Sequence, residues 1–272
     1  MKILAIVLTY YPEKDVLIKN VTSFADYVDK IILWENTPEK DKNDYRFVNR
    51  ENVEYCGNGI NSISIALNYA LRYANENGYD YLLTMDQDSV WENFGDYINK
   101  TIYNASAPLG LYGPCINGES YEEDFHPKEL ITSGMLAPIC VLNKIGGYNE
   151  LFTIDGIDSW LCCIAKELGY GSYVVCGCNL KQQFGKLHQS SFLWFSFLTL
   201  DYPAWRLYEV YKSYVIILRR FKGTVNLKKH FWRNLMGKDL IKIILVEQEK
   251  IKKLNYIIRG IKDGLIYIFN NE

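Results

Sequence analysis

No apolar run in this 272-residue chain approaches the length needed to span a bilayer. Ile3-Leu4-Ala5-Ile6-Val7-Leu8, the first apolar stretch, is too short for the core of a secretion signal and meets Thr9-Tyr10-Tyr11-Pro12 where a cleavage site would stand. The expectation is a protein that is neither transmembrane nor exported by that route. Paired cysteine spacing is missing too. The seven cysteines, Cys56, Cys115, Cys140, Cys162, Cys163, Cys176 and Cys178, form neither a zinc ribbon nor a disulfide framework, which suits a reducing cytoplasm. Polar bias is lacking, since 49% of residues are hydrophobic and 23% charged, so the chain is expected to fold. Gly57-Asn58-Gly59 has neither the dinucleotide nor the Walker spacing of a phosphate-binding loop. No nucleic-acid partner is expected.

The net charge of −2 conceals an asymmetry. Residues 201–272 carry 15 Lys and Arg against 7 Asp and Glu, whereas residues 1–200 carry 15 against 25. The expected organisation is a catalytic-type domain over 1–200 and a basic, aromatic-rich helical extension over 201–272. That extension is either offered to an anionic surface or simply solvated. An aromatic share of 15%, with 22 Tyr, suits the stacking of rings or sugars and equally an ordinary core.

The pattern along the first half is that of an α/β protein. Ile3 to Leu8 has the β-branched content of a buried parallel strand. Further strands are expected over 28–34 and 52–55, with helices over 13–25 and 62–76, the latter from the spacing of Ile63, Ala66, Leu67, Ala70 and Leu71. Tyr81 to Met85 is the fourth strand. Such alternation builds a mainly parallel sheet with ligands at the carboxyl ends of its strands. Beyond it the sequence suggests a helix over 94–104, a short strand over 110–114 and a polar, mobile loop over 118–128. A strand over 130–136 and helices over 139–145 and 160–168 complete this part.

The fourth strand runs into Asp86-Gln87-Asp88. Alternation in an extended chain sends Asp86 and Asp88 to one side, where both reach a hard divalent cation able to neutralise a diphosphate. A strand followed by a polar turn is the alternative. The other strand ends carry Thr9-Tyr10, Glu35-Asn36 and Asn58-Gly59. Their convergence would form a crevice in which Tyr10 stacks on a base and Glu35 or Asn36 bonds its polar edge, although turn chemistry also accounts for such residues. Asp155 and Asp158 precede an apolar helix, where carboxylates serve as caps. The one not needed as a cap could act as a general base toward an acceptor hydroxyl.

Several stretches taken in order carry a resemblance: Leu8-Thr9-Tyr10-Tyr11-Pro12, Trp34-Glu35-Asn36-Thr37, Ile63-Ser64-Ile65-Ala66-Leu67-Asn68 and Gly78-Tyr79-Asp80-Tyr81-Leu82-Leu83-Thr84-Met85-Asp86-Gln87-Asp88-Ser89. They continue with Ile131-Thr132-Ser133-Gly134, Ile145-Gly146-Gly147-Tyr148-Asn149-Glu150-Leu151-Phe152 and Ile154-Asp155-Gly156-Ile157-Asp158. Together, over roughly residues 3–220, they resemble the glycosyltransferase family 2 enzymes of GT-A fold, most closely the bacterial rhamnosyltransferase branch. The resemblance implies a Rossmann-like, mainly parallel sheet flanked by helices, with a C-terminal helical extension. It implies metal-dependent, inverting transfer of a hexose, rhamnose-like, from a dTDP- or UDP-linked donor. The acceptor would be a hydroxyl of a glycan or lipid-linked glycan in cytoplasmic synthesis of cell-surface polysaccharide.

By the same resemblance, Asp86 and Asp88 hold Mg²⁺ or Mn²⁺, and His188 of Lys186-Leu187-His188 stands near the metal or the diphosphate. Asp158 is the base. Thr9, Tyr10, Glu35, Asn36 and Gln87 face the nucleotide, and Asp155, Ser133, Gly134, Arg206 and Tyr208 lie on the acceptor or phosphate side. The chain departs from the family at Trp160 and Ile164, where an acidic residue and an arginine are usual. It departs again at Glu209 and Lys212-Ser213, which replace a tyrosine and an Arg-Asn pair.

Ser190 to Leu200 is apolar and aromatic, and helices expected over 208–220, 227–245 and 248–267 mix Ile and Leu with Lys and Arg. Such helices suit peripheral docking on an inner membrane leaflet, and equally packing on the catalytic domain or a homodimer. Two rival functions start from the same residues. A haloacid-dehalogenase-type phosphatase would use Asp86 as nucleophile and Asp88 as acid/base, but there the motif closes the first strand, whereas three strands precede it here. A catalytically degenerate sugar-nucleotide or glycan binder would account for Trp160 and Ile164.

Overall fold

The first apolar run becomes β1 (Ile3–Thr9), buried at all seven positions because strands pair along both its edges and side chains cover both its faces. The structure, a computed structural model, describes residues 1–38, 46–183, 188–192, 194–222 and 225–268. It divides into two units, residues 1–183 and 184–272. Lys186 and Leu187, which figure in the sequence reading, lie outside the described residues.

In the first unit, β1 is followed by α1 (Lys14–Thr22), β2 (Lys30–Glu35), β3 (Val53–Cys56), α2 (Ile63–Asn77) and β4 (Tyr81–Asp86). Then come β5 (Val90–Trp91), α3 (Phe94–Thr101), β6 (Gly110–Ile116), β7 (Phe125–Pro127), β8 (Met135–Pro138), α4 (Ile139–Ile145), α5 (Ile157–Glu167) and β9 (Gly171–Lys181). All nine strands join one sheet in the order β3-β2-β1-β4-β8-β6-β9-β5, with β7 also on β9. The first four of that order are parallel, β8 runs antiparallel between β4 and β6, and β6 and β9 are parallel. Ala5, Val7, Ile31, Leu33, Leu83 and Met85 form one core with Leu17 and Val21 of α1 and Phe94, Tyr97 and Ile98 of α3. α2 packs on β1 and β4 and meets α4, which meets α5.

Three expectations change. The strand expected over 130–136 starts only at Met135, because Gly134 adopts φ +79° and the Met135 N–H closes a turn onto the Thr132 carbonyl at 3.2 Å. The loop over 118–128 is not bare: Phe125–Pro127 pairs with β9, and Lys128 Nζ lies 2.7 Å from Glu119 Oε1. β9 had no counterpart in the sequence reading. Gly171 and Gly177, the latter at φ +75°, interrupt its alternation, and its register against β6 shifts between Pro114 and Cys115.

The second unit starts with a hairpin of β10 (His188–Phe192) and β11 (Phe195–Thr199). No Gly, Asn or Pro lies in Ser190 to Leu200 to announce that turn. α6 (Ala204–Arg220), α7 (Val225–His230), a π-helical stretch (Phe231–Asp239), α8 (Leu240–Leu245) and α9 (Lys250–Ile266) follow. Leu207, Val210, Tyr211 and Val215 of α6 share a core with Phe231, Leu235, Ile243 and Ile257. Lys253, only 2% exposed, is paired with Glu247 at 2.8 Å and with Asp201. Among the described residues no helix is long and apolar enough to cross a membrane.

Two glycines let α9 approach α6. A Cβ on Gly260 would stand 2.5 Å from the Tyr208 carbonyl oxygen, and one on Gly264 would stand 2.8 Å from Val215 Cβ. Gly260→Val should therefore push the helices apart and cost about 1–3 kcal/mol. A urea melt checks this; an unchanged midpoint would mean that the helices do not meet at this glycine.

Candidate active site

The register of the parallel strands brings three loops to one edge. Thr9 pairs with Glu35 across β1 and β2, and Leu8 pairs with Asp86 across β1 and β4, so the three carboxyl ends are level. Gln87 ties two of them together. Its Oε1 accepts the Tyr10 N–H at 2.7 Å and its Nε2 donates to the Tyr10 carbonyl at 3.0 Å. This amide thus grips the backbone of the neighbouring loop, a local role that the Asp-Gln-Asp spacing does not reveal.

Held this way, the Tyr10 ring stays exposed and meets Tyr11 edge-on at 4.6 Å. Tyr11 adopts φ +46° and donates its N–H to Thr37 Oγ1 at 2.8 Å. Glu35 Oε1 accepts the Thr37 N–H at 2.7 Å, which folds the β2 end back on itself. Thr9 is buried with its hydroxyl on the Trp34 carbonyl at 3.0 Å, and its own carbonyl accepts the Asn36 N–H at 2.8 Å. Asn36 is buried, and its Oδ1 has no hydrogen-bond partner among the described residues.

Beyond Asp86 the chain leaves the strand and turns, with the Ser89 N–H directed at the Asp86 carbonyl at 3.4 Å. The extended alternation expected for Asp86 and Asp88 therefore does not hold; a turn sets their positions. Asn20 of α1 clamps that turn by donating its amide to the Asp86 carbonyl at 2.9 Å and to the Ser89 carbonyl. Ser133 is buried behind it, accepting the Asp86 N–H at 3.1 Å and donating to Ser89 Oγ at 2.7 Å. Gly134, beside it, packs against Pro114, and its carbonyl accepts the Tyr97 hydroxyl at 3.1 Å. Ser133 thus supports the acidic turn from beneath, and the Gly134 N–H bonds the Thr84 carbonyl of β4 at 2.8 Å.

The Asp86 carboxylate has a partner that the sequence reading missed. Gln182 Nε2 donates to Asp86 Oδ2 at 2.9 Å, and Asn117 fixes Gln182 by reciprocal bonds of 3.0 and 2.9 Å with its backbone. Asp86 and Asp88 are both half-buried, and burial raises the Asp88 carboxyl above its ordinary value. A nearby cation would reverse that shift. Among the described residues no group of three or more His, Cys, Asp or Glu is gathered to hold a metal. Mg²⁺-type sites do not need one, since one or two carboxylates suffice where substrate phosphates and water complete the shell. Two carboxylates are the number and type of protein ligand that such an ion takes.

Asp158 lies in the first turn of α5. Burial raises its pKa from 3.8 to about 6, with the Glu129 and Asp155 carboxylates adding to the rise and the Ser159 N–H, at 2.8 Å from Oδ1, opposing it. The segment leading to it is anchored on α2. Asn68 Nδ2 donates to the Tyr148 carbonyl and to Glu150 Oε1, both at 2.8 Å, and its Oδ1 accepts the Tyr148 N–H at 2.9 Å. Gly147 makes room for this clamp: at φ +81°, a Cβ there would stand 2.9 Å from Asn68 Oδ1. Trp160 packs against Phe152, ring centroids 5.3 Å apart.

The remaining candidates belong to the second unit. His188 is exposed at the start of β10. The Arg206 guanidinium lies 4.2 Å over the Tyr202 ring. The Tyr208 hydroxyl bonds Asp263 Oδ2 at 2.9 Å, and burial together with that carboxylate raises its pKa to about 12.

A raised carboxylate pKa is a stability penalty at neutral pH. The folded chain holds the Asp158 proton where the unfolded chain has released it, so stability falls as pH rises from about 4 through about 6. Asp158→Asn should thus be more stable than the parent at pH 7, with the difference vanishing near pH 4. Urea melts across that range test this; an Asn variant no more stable at neutral pH would mean that the carboxylate is well solvated.

No family model and no curated protein sequence matches the chain. Solved structures do. Residues 1–349 of Staphylococcus aureus TarS are 12% identical, with a TM-score of 0.55 over 96% of this chain and 81% of that one. The same TarS segment in complex with UDP-GlcNAc is 15% identical, with a TM-score of 0.56 over 96% and 82%. The mannosyltransferase PcManGT from Pyrobaculum calidifontis, in complex with GDP-Man and Mn²⁺, is 12% identical, with a TM-score of 0.58 over 95% and 73%. At these identities the likeness shows the fold alone: α/β, with a mostly parallel central sheet and flanking helices, of the GT-A glycosyltransferase type.

Proposed function

We propose that this chain is a metal-dependent, inverting glycosyltransferase of family 2, of the rhamnosyltransferase-like branch. It takes a dTDP- or UDP-linked sugar as donor and a glycan or lipid-linked glycan as acceptor, in bacterial cell-surface polysaccharide synthesis on the cytoplasmic side. One observation carries the reading: the ends of β1, β2 and β4 are level, and the Gln87 amide locks Tyr10 beside the Asp86–Asp88 turn. Neighbours of the same fold in complex with UDP-GlcNAc and with GDP-Man and Mn²⁺ support it.

In this proposal the exposed Tyr10 ring stacks on the base, while Glu35 and Asn36 bond the base or ribose. Thr9 takes part through the loop it holds in place. Asp86 and Asp88 would hold Mg²⁺ or Mn²⁺, which would supply positive charge against the diphosphate. Asp158 removes the acceptor hydroxyl's proton as that oxygen bonds the anomeric carbon from the face opposite the diphosphate, whose bond to the carbon breaks. A base with pKa about 6 is ionised at neutral pH yet still basic enough to take a proton. Asp155, Ser133 and Gly134 belong to the acceptor or phosphate side, Ser133 by holding the Asp86 backbone. His188, Arg206 and Tyr208 are assigned to the metal, diphosphate or acceptor on resemblance alone.

Calorimetric titration with dTDP, UDP and GDP, with and without Mn²⁺, tests the site. Metal-dependent binding of one nucleotide, lost in Asp88→Ala, is the expected result and names the donor's base. Hydrolysis of a generic phosphoester without nucleotide binding would overturn the proposal in favour of a phosphatase, and tight binding without turnover would mark a degenerate binder. Once a donor is known, turnover should fall below about pH 6 as Asp158 protonates. Asp158→Asn should lower kcat by about 10²–10⁴ while leaving nucleotide binding intact. A pH profile that the Asn variant leaves unchanged would assign the base elsewhere.

A further inference from the structure

α9 is turned the wrong way round for a helix that faces only water. Its buried positions, Lys253, Ile257, Gly260 and Gly264, include two glycines and a lysine, because close approach to α6 requires small residues there. Leu254 and Ile261 also pack on that core, but a second set of large aliphatic side chains is left outside. Ile251 is 79% exposed, Ile258 63%, Leu265 57% and Ile266 63%, and Ile268 just beyond the helix is 79% exposed. Ile251, Ile258 and Leu265 recur every seven residues, so they form one stripe along the outer face. Exposed Lys252, Arg259 and Lys262 are interleaved with them. Asp263, the helix's one acidic residue, accepts the Tyr208 hydroxyl of α6 and is not part of that stripe.

We propose that the outer face of α9 docks on an anionic lipid surface, lying in the plane of the headgroups. The stripe supplies aliphatic side chains of the length needed to enter the acyl boundary, and the flanking Lys and Arg reach back to phosphate groups. Charge argues against a second copy as occupant. A symmetric dimer through this face would bring the Arg259 and Lys262 charges of both copies together, while the carboxylate beside the helix start, Glu249, is already paired with Lys252 at 2.8 Å. Residues 201–272 as a whole carry 15 Lys and Arg against 7 Asp and Glu, the sign that an anionic bilayer attracts. α8, packed against α9, adds Ile241 and Ile244, 52% and 48% exposed. The inference deepens the lipid-linked acceptor of the proposed function by naming a surface, yet its evidence is independent of the nucleotide site.

Flotation of the full chain with phosphatidylcholine vesicles, with and without phosphatidylglycerol and at low and high salt, tests the proposal. The parent should float only with the anionic vesicles, less so at high salt. Ile258→Glu combined with Leu265→Glu should reduce the bound fraction at least about tenfold at any salt. Arg259→Glu combined with Lys262→Glu should remove the salt-sensitive part. Both pairs lie on the exposed face, and unchanged urea midpoints confirm that the variants fold. A parent that does not float with anionic vesicles at low salt overturns the proposal. So does a dimer in sedimentation that the aliphatic pair abolishes without any flotation of the parent. Calorimetric nucleotide binding by the same variants keeps a failure here separate from a failure of the transferase site.

Discussion

Parallel pairing of β1 with β4, Leu8 against Asp86, fixes where the rest of the first unit must go. Strands that run side by side in one direction bring their carboxyl ends to one edge, so the loops leaving them meet whether or not they are close in sequence. Asp86 and Tyr10 are neighbours for that reason, and the Gln87 amide can reach the Tyr10 backbone only while the register holds. Asn20, Ser133 and Gln182 then converge on the acidic turn from α1, from the turn before β8 and from the end of β9. A slip of one residue in β4 would exchange the side chains on its two buried faces and separate all of these groups at once.

The same burial that organises the site also strains it. Asp88 and Asp158 are held partly away from water, which disfavours their charged forms and raises both pKa values. A structure selected for stability alone would place neutral groups there. A site that takes a cation and a proton gains from carboxylates that water satisfies poorly, because the ligand or the proton then has more to offer them. Supporting bonds to backbone groups, such as Ser133 to the Asp86 N–H, keep the turn in place without consuming the carboxylate oxygens.

In the second unit, glycine decides what the surface looks like. Gly260 and Gly264 allow α9 to lie almost in contact with the α6 backbone, and Arg219 of α6 donates to the Gly264 and Tyr267 carbonyls at 2.7 Å each to finish that helix. Small residues on the inner face leave no place inside for Ile251, Ile258 and Leu265. Their exposure follows from the packing chosen on the other side.

Much of this was already determined by the sequence. The βαβ alternation, the buried character of Ile3 to Leu8, the helix of Ala66, Leu67, Ala70 and Leu71, and the strand ending at Asp86 all follow from local periodicity, which neighbouring residues set among themselves. The separation of an acidic 1–200 from a basic 201–272 follows from composition. The tertiary structure alone decided that Gln87 holds Tyr10, that Asn68 anchors the segment before Asp158, and that Gln182 bonds Asp86 across 96 residues of chain. It decided as well that Asp86 and Asp88 are arranged by a turn and not by strand alternation, and that Ile251, Ile258 and Leu265 of α9 face outward. The reason is the same in each case. Periodicity is a property of adjacent residues, whereas a side-chain amide finds its partner, and a helix its inner face, only after distant segments have been brought into register.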